Sequence, residues 1–247
     1  MVKSDNKAIP IQDLNIEIFA DGADIQGIIS LNKNPLIKGF TTNPTLMRAS
    51  GISDYEEFAK EVLANIQDKS ISFEVFADDE NNIKKQARKI ASWQDNVAVK
   101  IPIMNTKGEY SDKIIKELSY EQIPLNITAI MTINQIKTLL NVLNPNCDCI
   151  LSIFAGRIAD TGLDPENTMV EAKKLIDDYP KCKLLWASPR EVLNIYQAEK
   201  CKCDIITVPH AILGKLSNIN KNLDTFSKET VEMFFNDALK SGFSIKI

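Results

Sequence analysis

The chain has little of what marks several common protein classes. Among its 247 residues there is one histidine, His210, and there are five cysteines and nine glycines. No glycines fall in G-x-G-x-x-G or Walker A spacing, so a glycine-rich nucleotide loop is absent. An odd cysteine number in a chain of this length argues against a disulfide framework. Cys147-Asp148-Cys149 and Cys201-Lys202-Cys203 have C-x-C spacing. A metal site would want C-x-x-C or histidine partners, so the expectation is no metal and buried, reduced thiols. No block of like charge appears, and 29 basic residues against 33 acidic give a net charge of -4. A broad basic face for nucleic acid is therefore not expected. No apolar run approaches the length of a membrane span. The start, Met1-Val2-Lys3-Ser4-Asp5, is polar and lacks a signal-peptide core. These features point to a cytoplasmic protein with neither nucleic-acid nor membrane partners.

What remains is a regular alternation. Eight β-rich segments are expected at 16–21, 39–43, 71–76, 97–103, 124–130, 149–155, 183–188 and 205–209. Their apolar runs are nearly continuous, which marks parallel strands covered on both faces. Between them lie helical spacings at 55–67, 83–93, 133–143 and 165–179. Ser53 or Asp54, Asp78, Thr132 and Pro165 are the candidate starts. Alternation repeated eight times predicts an α/β fold, a closed (β/α)8 TIM barrel, with an open doubly wound sheet second. The expected organisation is one barrel domain over 1–247, with a polar N-terminal extension at 1–15. An added amphipathic helix is expected at about 227–241, carrying Val231, Phe234, Phe235 and Ala238 on one side. It either caps the barrel or packs on a neighbouring subunit, which leaves a homo-oligomer open.

Lys100 is the most informative residue. It interrupts the run Val97-Ala98-Val99-Lys100-Ile101-Pro102-Ile103. A buried ammonium tends to lose its charge and become a nucleophilic amine able to form an imine. Alternatively, Lys100 sits at a strand end and its head escapes to water. Polar residues recur near nearly every other strand end. They are Asp21, Thr41-Thr42-Asn43, Glu74, Asn126 and Thr128, Ser152 with Arg157 after it, and Ser188-Pro189-Arg190. Individually, Asp21 also suits a helix cap, and Asn43-Pro44 a helix start. Ser188-Pro189 has the form of an N-cap followed by a first-turn proline. A helix beginning there would offer free amides to an anion, with Arg190 adding bidentate geometry. Arg157 has a second reading as a structural ion-pair partner, and His210 reads as structural.

In this order, the motifs resemble the transaldolases and their short relatives, the fructose-6-phosphate aldolases. The resemblance spans about 18–216. It is carried by Ala20-Asp21-Gly22, Thr41-Thr42-Asn43-Pro44 and Val99-Lys100-Ile101-Pro102, then by Asn126-Ile127-Thr128, Ser152-Ile153-Phe154-Ala155-Gly156-Arg157 and Ala187-Ser188-Pro189-Arg190. It implies a metal-free, cofactor-free transfer of a dihydroxyacetone unit between sugar phosphates. Lys100 is then the Schiff-base lysine and Asp21 the base at the C4 hydroxyl. Glu74, through a water held with Thr128, handles the protons of imine formation. Thr41, Asn43, Asn126, Ser152 and Phe154 are the expected donor-site residues, and Arg157, Ser188 and Arg190 the expected phosphate ligands. Aldolase-type members resemble one another in having Gln at the third-strand position and Tyr on the sixth strand. Glu74 and Phe154 stand there instead, which implies transfer, with fructose-6-phosphate aldolase-like cleavage, or transfer to another sugar phosphate, as the alternative. A barrel that binds sugar phosphate without catalysis would be expected to lack one of Asp21, Glu74 or Lys100, and all three are present.

Overall fold

A computed structural model of the protein describes residues 7–246. Eight strands, β1 (Glu17–Asp21), β2 (Ile37–Thr41), β3 (Ser70–Glu74), β4 (Val97–Pro102), β5 (Leu125–Ile130), β6 (Cys149–Ile153), β7 (Cys182–Trp186) and β8 (Ile205–Pro209), pair in chain order. Every pair is parallel, and β8 returns to β1, closing the barrel. The helices between and after them are α1 (Ile25–Asn32), α2 (Pro44–Ala49), α3 (Tyr55–Asn65), α4 (Glu80–Ala91), α5 (Asp112–Tyr120), α6 (Ile133–Leu140), α7 (Ala155–Ala159), α8 (Glu166–Ile176), α9 (Leu193–Lys200), α10 (His210–Leu213) and α11 (Leu223–Lys240). The expected barrel is the observed one, and the open doubly wound sheet is excluded by the β8–β1 pairing.

Closure follows from two-faced burial. The strand residues Ile18, Ile71, Val99, Ile127, Leu151, Leu184 and Ile206 join one large apolar cluster with helix residues such as Phe58, Ala87, Leu118 and Ile195. Their alternates Phe19, Ile150, Leu185 and Ile205 form a separate small cluster with Ala187, which plugs the barrel interior. Above this plug the interior turns polar, with buried Thr41, Ser72, Lys100, Asn126, Thr128, Ser152 and Thr207. The apolar floor thus leaves the C-terminal mouth to the polar strand ends.

Helix starts follow local chemistry where a cap is present. Asn43, Asp54 and Thr132 cap α2, α3 and α6 through their side-chain oxygens, and Thr132 with Gln135 completes a capping box. The helix expected after Asp78 is capped by Asp79 instead, and α4 begins at Glu80. Pro165 stands at the N-cap of α8. Strand edges move by no more than two residues from the expected bounds, and the second strand ends at Thr41 rather than Asn43, whose backbone has already begun the cap.

The sharpest disagreement is after β7. Ser188 does not cap a helix. Its φ is 61°, the left-handed region, and α9 begins only at Leu193, with Val192 at its N-cap. The Asn194 side chain accepts from the amides of Arg190 and Glu191 at 2.7 and 3.1 Å, so those amides are not open to an anion. Of the expected extension 1–15, residues 1–6 lie outside those described, and Ile11–Asp13 form one 3-10 turn. The C-terminal helix starts at Leu223, four residues earlier than expected, because Asn222 accepts from the Thr225 amide at 2.9 Å. It has no buried residue, so it does not cap the barrel; Val231, Phe234 and Phe235 are exposed.

Candidate active site

All twelve side chains expected at the site line one cavity of about 470 Å³ at the C-terminal mouth of the barrel. Strand register sets their heights. Glu74 on β3 pairs with Lys100 on β4, which pairs with Asn126 on β5, so the three stand at one level. Asp21 ends β1 and pairs with Thr41, the end of β2.

Lys100 is buried (6% exposed), which excludes the reading in which its head escapes to water. Its Nζ donates to the Thr42 carbonyl at 3.0 Å and lies 3.3 Å from Glu74 Oε2. The Glu74 backbone is fixed at this point, its carbonyl accepting from the Tyr55 hydroxyl at 2.9 Å. A buried amine with one neutral and one anionic partner is fixed in position with little rotamer freedom, as a nucleophile requires.

Asp21 is no helix cap; Asp24 caps α1. Burial pushes the Asp21 carboxyl above the usual carboxylate range. The Lys100 charge, a hydrogen bond from Thr41 and the charge of His210 pull it back in part. Thr41 Oγ1 donates to Asp21 Oδ1 at 2.7 Å.

Hydrogen-bond accounting shows what each group still offers. Asn43 Oδ1 accepts from the Leu46 amide at 3.0 Å as the α2 cap, which leaves its amide NH2 free to donate. Ser152 Oγ donates to Asn126 Oδ1 at 2.6 Å, and Asn126 Nδ2 donates to Ser72 Oγ at 2.9 Å. The Thr128 hydroxyl is buried without a partner among the described residues. Such a group is costly unless a water or substrate supplies the missing bond.

The two arginines are brought to the same cavity by a close approach. Gly156 in α7 donates to the Ala187 carbonyl at 3.3 Å, and a Cβ on it would lie 1.6 Å from the Ser188 carbonyl oxygen. Only glycine lets the turn after β6 meet the turn after β7 in this way. Arg157 lies over the Phe154 ring, 5.8 Å from its centroid, and has no ion-pair partner among the described residues. Arg190 instead forms a two-pronged pair with Asp160, its Nε at 3.1 Å from Oδ1. The structural ion pair considered for Arg157 therefore belongs to Arg190.

Sequence reasoning missed Ser72, Thr207, Tyr55 and Asp160, and it named Thr42 and Gly156 only as members of their motifs, without the contacts they make. Each acts across strands or helices far apart in the chain, with no local signature. His210, expected to be structural, makes close contacts beside the site. Its ring packs against Gly22 and Gly27, 2.9 and 2.7 Å from where a Cβ would stand on each, and it also bears electrostatically on Asp21.

The transaldolase/fructose-6-phosphate aldolase family model matches residues 18–245, extending past the motifs through α11. A probable transaldolase of Dehalococcoides mccartyi is 35% identical over 81% of this chain and 90% of its own length. One from Nitrosopumilus maritimus is 32% identical over 81% and 87%. One from Streptococcus pyogenes is 31% identical over 87% and 97%. Among solved structures, dihydrodipicolinate synthase from Rhodopseudomonas palustris superimposes with a TM-score of 0.55 at 12% identity, covering 95% of this chain and 82% of that one. N-acetylneuraminate lyase from Mycoplasma synoviae gives 0.54 at 14% identity, covering 91% and 81%. At such identities these two bear on the barrel alone.

The Asp21 carboxyl sets a stability test. Because its folded pKa lies above the unfolded value, ionising it costs stability as pH rises past the usual carboxylate range. Asp21→Asn carries no such cost. It should melt higher than the wild type at pH 8, with the difference shrinking as pH falls toward about 4. Thermal scans across that range would refute the assignment if Asp21→Asn melted lower at pH 8.

Proposed function

The chain belongs to the transaldolase/fructose-6-phosphate aldolase family, and from that premise we propose that it is a cytoplasmic transaldolase. It moves a dihydroxyacetone unit from sedoheptulose 7-phosphate to glyceraldehyde 3-phosphate, giving erythrose 4-phosphate and fructose 6-phosphate, as in the pentose phosphate pathway. The observation that carries this reading is the buried Lys100 amine, 3.3 Å from Glu74, opening on the cavity that Asp21 also lines.

Lys100 must be unprotonated to attack the ketose C2 carbonyl, and Glu74, 3.3 Å away, suits the task of taking its proton. Loss of water from the carbinolamine gives an iminium. Thr128, with its unpartnered hydroxyl, suits the task of holding that water near Glu74. Asp21 takes the C4 hydroxyl proton, the C3–C4 bond breaks, and its electrons pass to the iminium as an enamine. The aldose phosphate leaves. An acceptor aldehyde then reverses the sequence, and hydrolysis frees Lys100. The Asn43 amide, and Ser152 as an acceptor, suit the hydroxyls of the three-carbon unit, whereas Asn126 mainly orients Ser152 and sits beside Lys100. Arg157, Ser188 and the Arg190 edge left free by Asp160 suit the phosphate.

The direct test is a coupled assay with and without acceptor. Wild-type protein should form the new ketose phosphate only when acceptor is added. Lys100→Arg should keep its fold by circular dichroism and lose turnover by at least about a thousandfold, because a guanidinium cannot add to a carbonyl. Residual activity near wild type would exclude Lys100 as the nucleophile.

Aldolase-like cleavage is the second reading, and Phe154 weighs against it. A phenyl ring in the cavity cannot protonate the enamine, so the fragment waits for an acceptor. Phe154→Tyr should raise release of free dihydroxyacetone from fructose 6-phosphate without acceptor. An unchanged rate would disconnect residue 154 from this partition.

The exposed face of α11 is read as a contact with a second copy of the chain. Leu223, Val231, Phe234, Phe235 and Leu239 are each more than 60% exposed, a patch that a lone subunit seldom leaves in water. Sedimentation should give a species larger than 27.6 kDa that Phe234→Glu with Phe235→Glu dissociates; a wild-type monomer would contradict the reading.

A further inference from the structure

We infer that Thr207 is a positioning residue that fixes the direction of the Thr41 hydroxyl and so aims one oxygen of Asp21 at the substrate. This rests on Asp21 being the base proposed above. Thr207 stands on β8 and Thr41 on β2, the two strands that flank β1. Thr207 is 5% exposed and lines the cavity. Its Oγ1 is 2.5 Å from Thr41 Oγ1, which itself donates to Asp21 Oδ1 at 2.7 Å.

A threonine hydroxyl carries one proton. Thr41 gives its proton to Asp21, so the proton in the Thr41–Thr207 contact must come from Thr207. The chain of donors therefore runs one way, from Thr207 to Thr41 to Asp21. Two consequences follow. Oδ1 is committed as an acceptor, which leaves Oδ2 to take the donor's C4 hydroxyl proton. And hydroxyls aligned head to tail polarise one another, so Thr207 strengthens the bond that favours ionised Asp21. It acts alongside Lys100 on β4 and His210 at the start of α10, the two charged or titratable groups that bear on this carboxyl.

Thr207→Val keeps the shape and removes the hydroxyl, Thr207→Ala is a second hydroxyl-free variant, and Thr207→Ser keeps the hydroxyl. The readouts are kcat for transfer from fructose 6-phosphate to erythrose 4-phosphate, its acid limb against pH, and the rate at which borohydride captures the imine. Thr207→Val and Thr207→Ala should lower kcat by about tenfold, the scale of one oriented hydrogen bond. Their acid limb should move to higher pH while imine capture stays at the wild-type rate, and Thr207→Ser should behave as wild type. An active wild type with Thr207→Val and Thr207→Ala unchanged in kcat and acid limb overturns this assignment alone. So does Thr207→Ser as impaired as the other two, or imine capture falling in step with kcat. A wild type that neither forms an imine nor transfers overturns the proposed function and this assignment with it.

Discussion

An amine placed inside a ring of eight strands, beside a carboxylate and under a layer of solvent-poor polar groups, is the constraint around which this molecule is built. Water would solvate a lysine head far better than protein does, so burial is tolerated only where partners replace that hydration. Here the replacements are the Thr42 carbonyl and Glu74, and neither is local to Lys100. Thr42 follows β2, Glu74 ends β3 and Lys100 lies on β4, so only a parallel sheet in this register brings the three together. The apolar plug of Phe19, Ile150, Leu185 and Ile205 keeps them at the mouth.

The site is economical with its hydrogen bonds. Asn43 spends its carbonyl on a helix cap and keeps its amide; Ser152 spends its proton and keeps its lone pairs; Arg190 gives one edge to Asp160 and keeps the other. Groups tied down on one side and open on the other are held in place before any ligand arrives, which lowers the reorganisation that charge movement would otherwise require. Thr128 is the exception, buried with nothing to bond among the described residues. Left-handed backbone occurs at the cavity too. Ala129 and Ser188, both with φ near 60°, line the cavity, and Ala129 falls where the β5–β6 register shifts.

Much of this was legible in the sequence because parallel barrels write their pattern plainly. A lysine in an unbroken apolar run, and polar residues near successive strand ends, locate the mouth without coordinates, and all but Thr42 of the polar residues so chosen line the cavity. The failures have a common cause. Ser188-Pro189 has the local form of a helix start, yet the backbone turns left-handed there, and its carbonyl packs over Gly156 from another loop. Ser72 looks like an ordinary strand serine until β5 places Asn126 against it. Thr207 lies 166 residues from Thr41, and closure of the barrel alone makes them neighbours. Local propensity marks which residues can do chemistry, whereas register and closure decide which of them meet.

The measurement that bears most directly on this account is mass mapping of the protein after borohydride reduction in the presence of fructose 6-phosphate. A single adduct of one dihydroxyacetone unit, on the peptide carrying Lys100, is the predicted result. An adduct on any other lysine, or none, would contradict it.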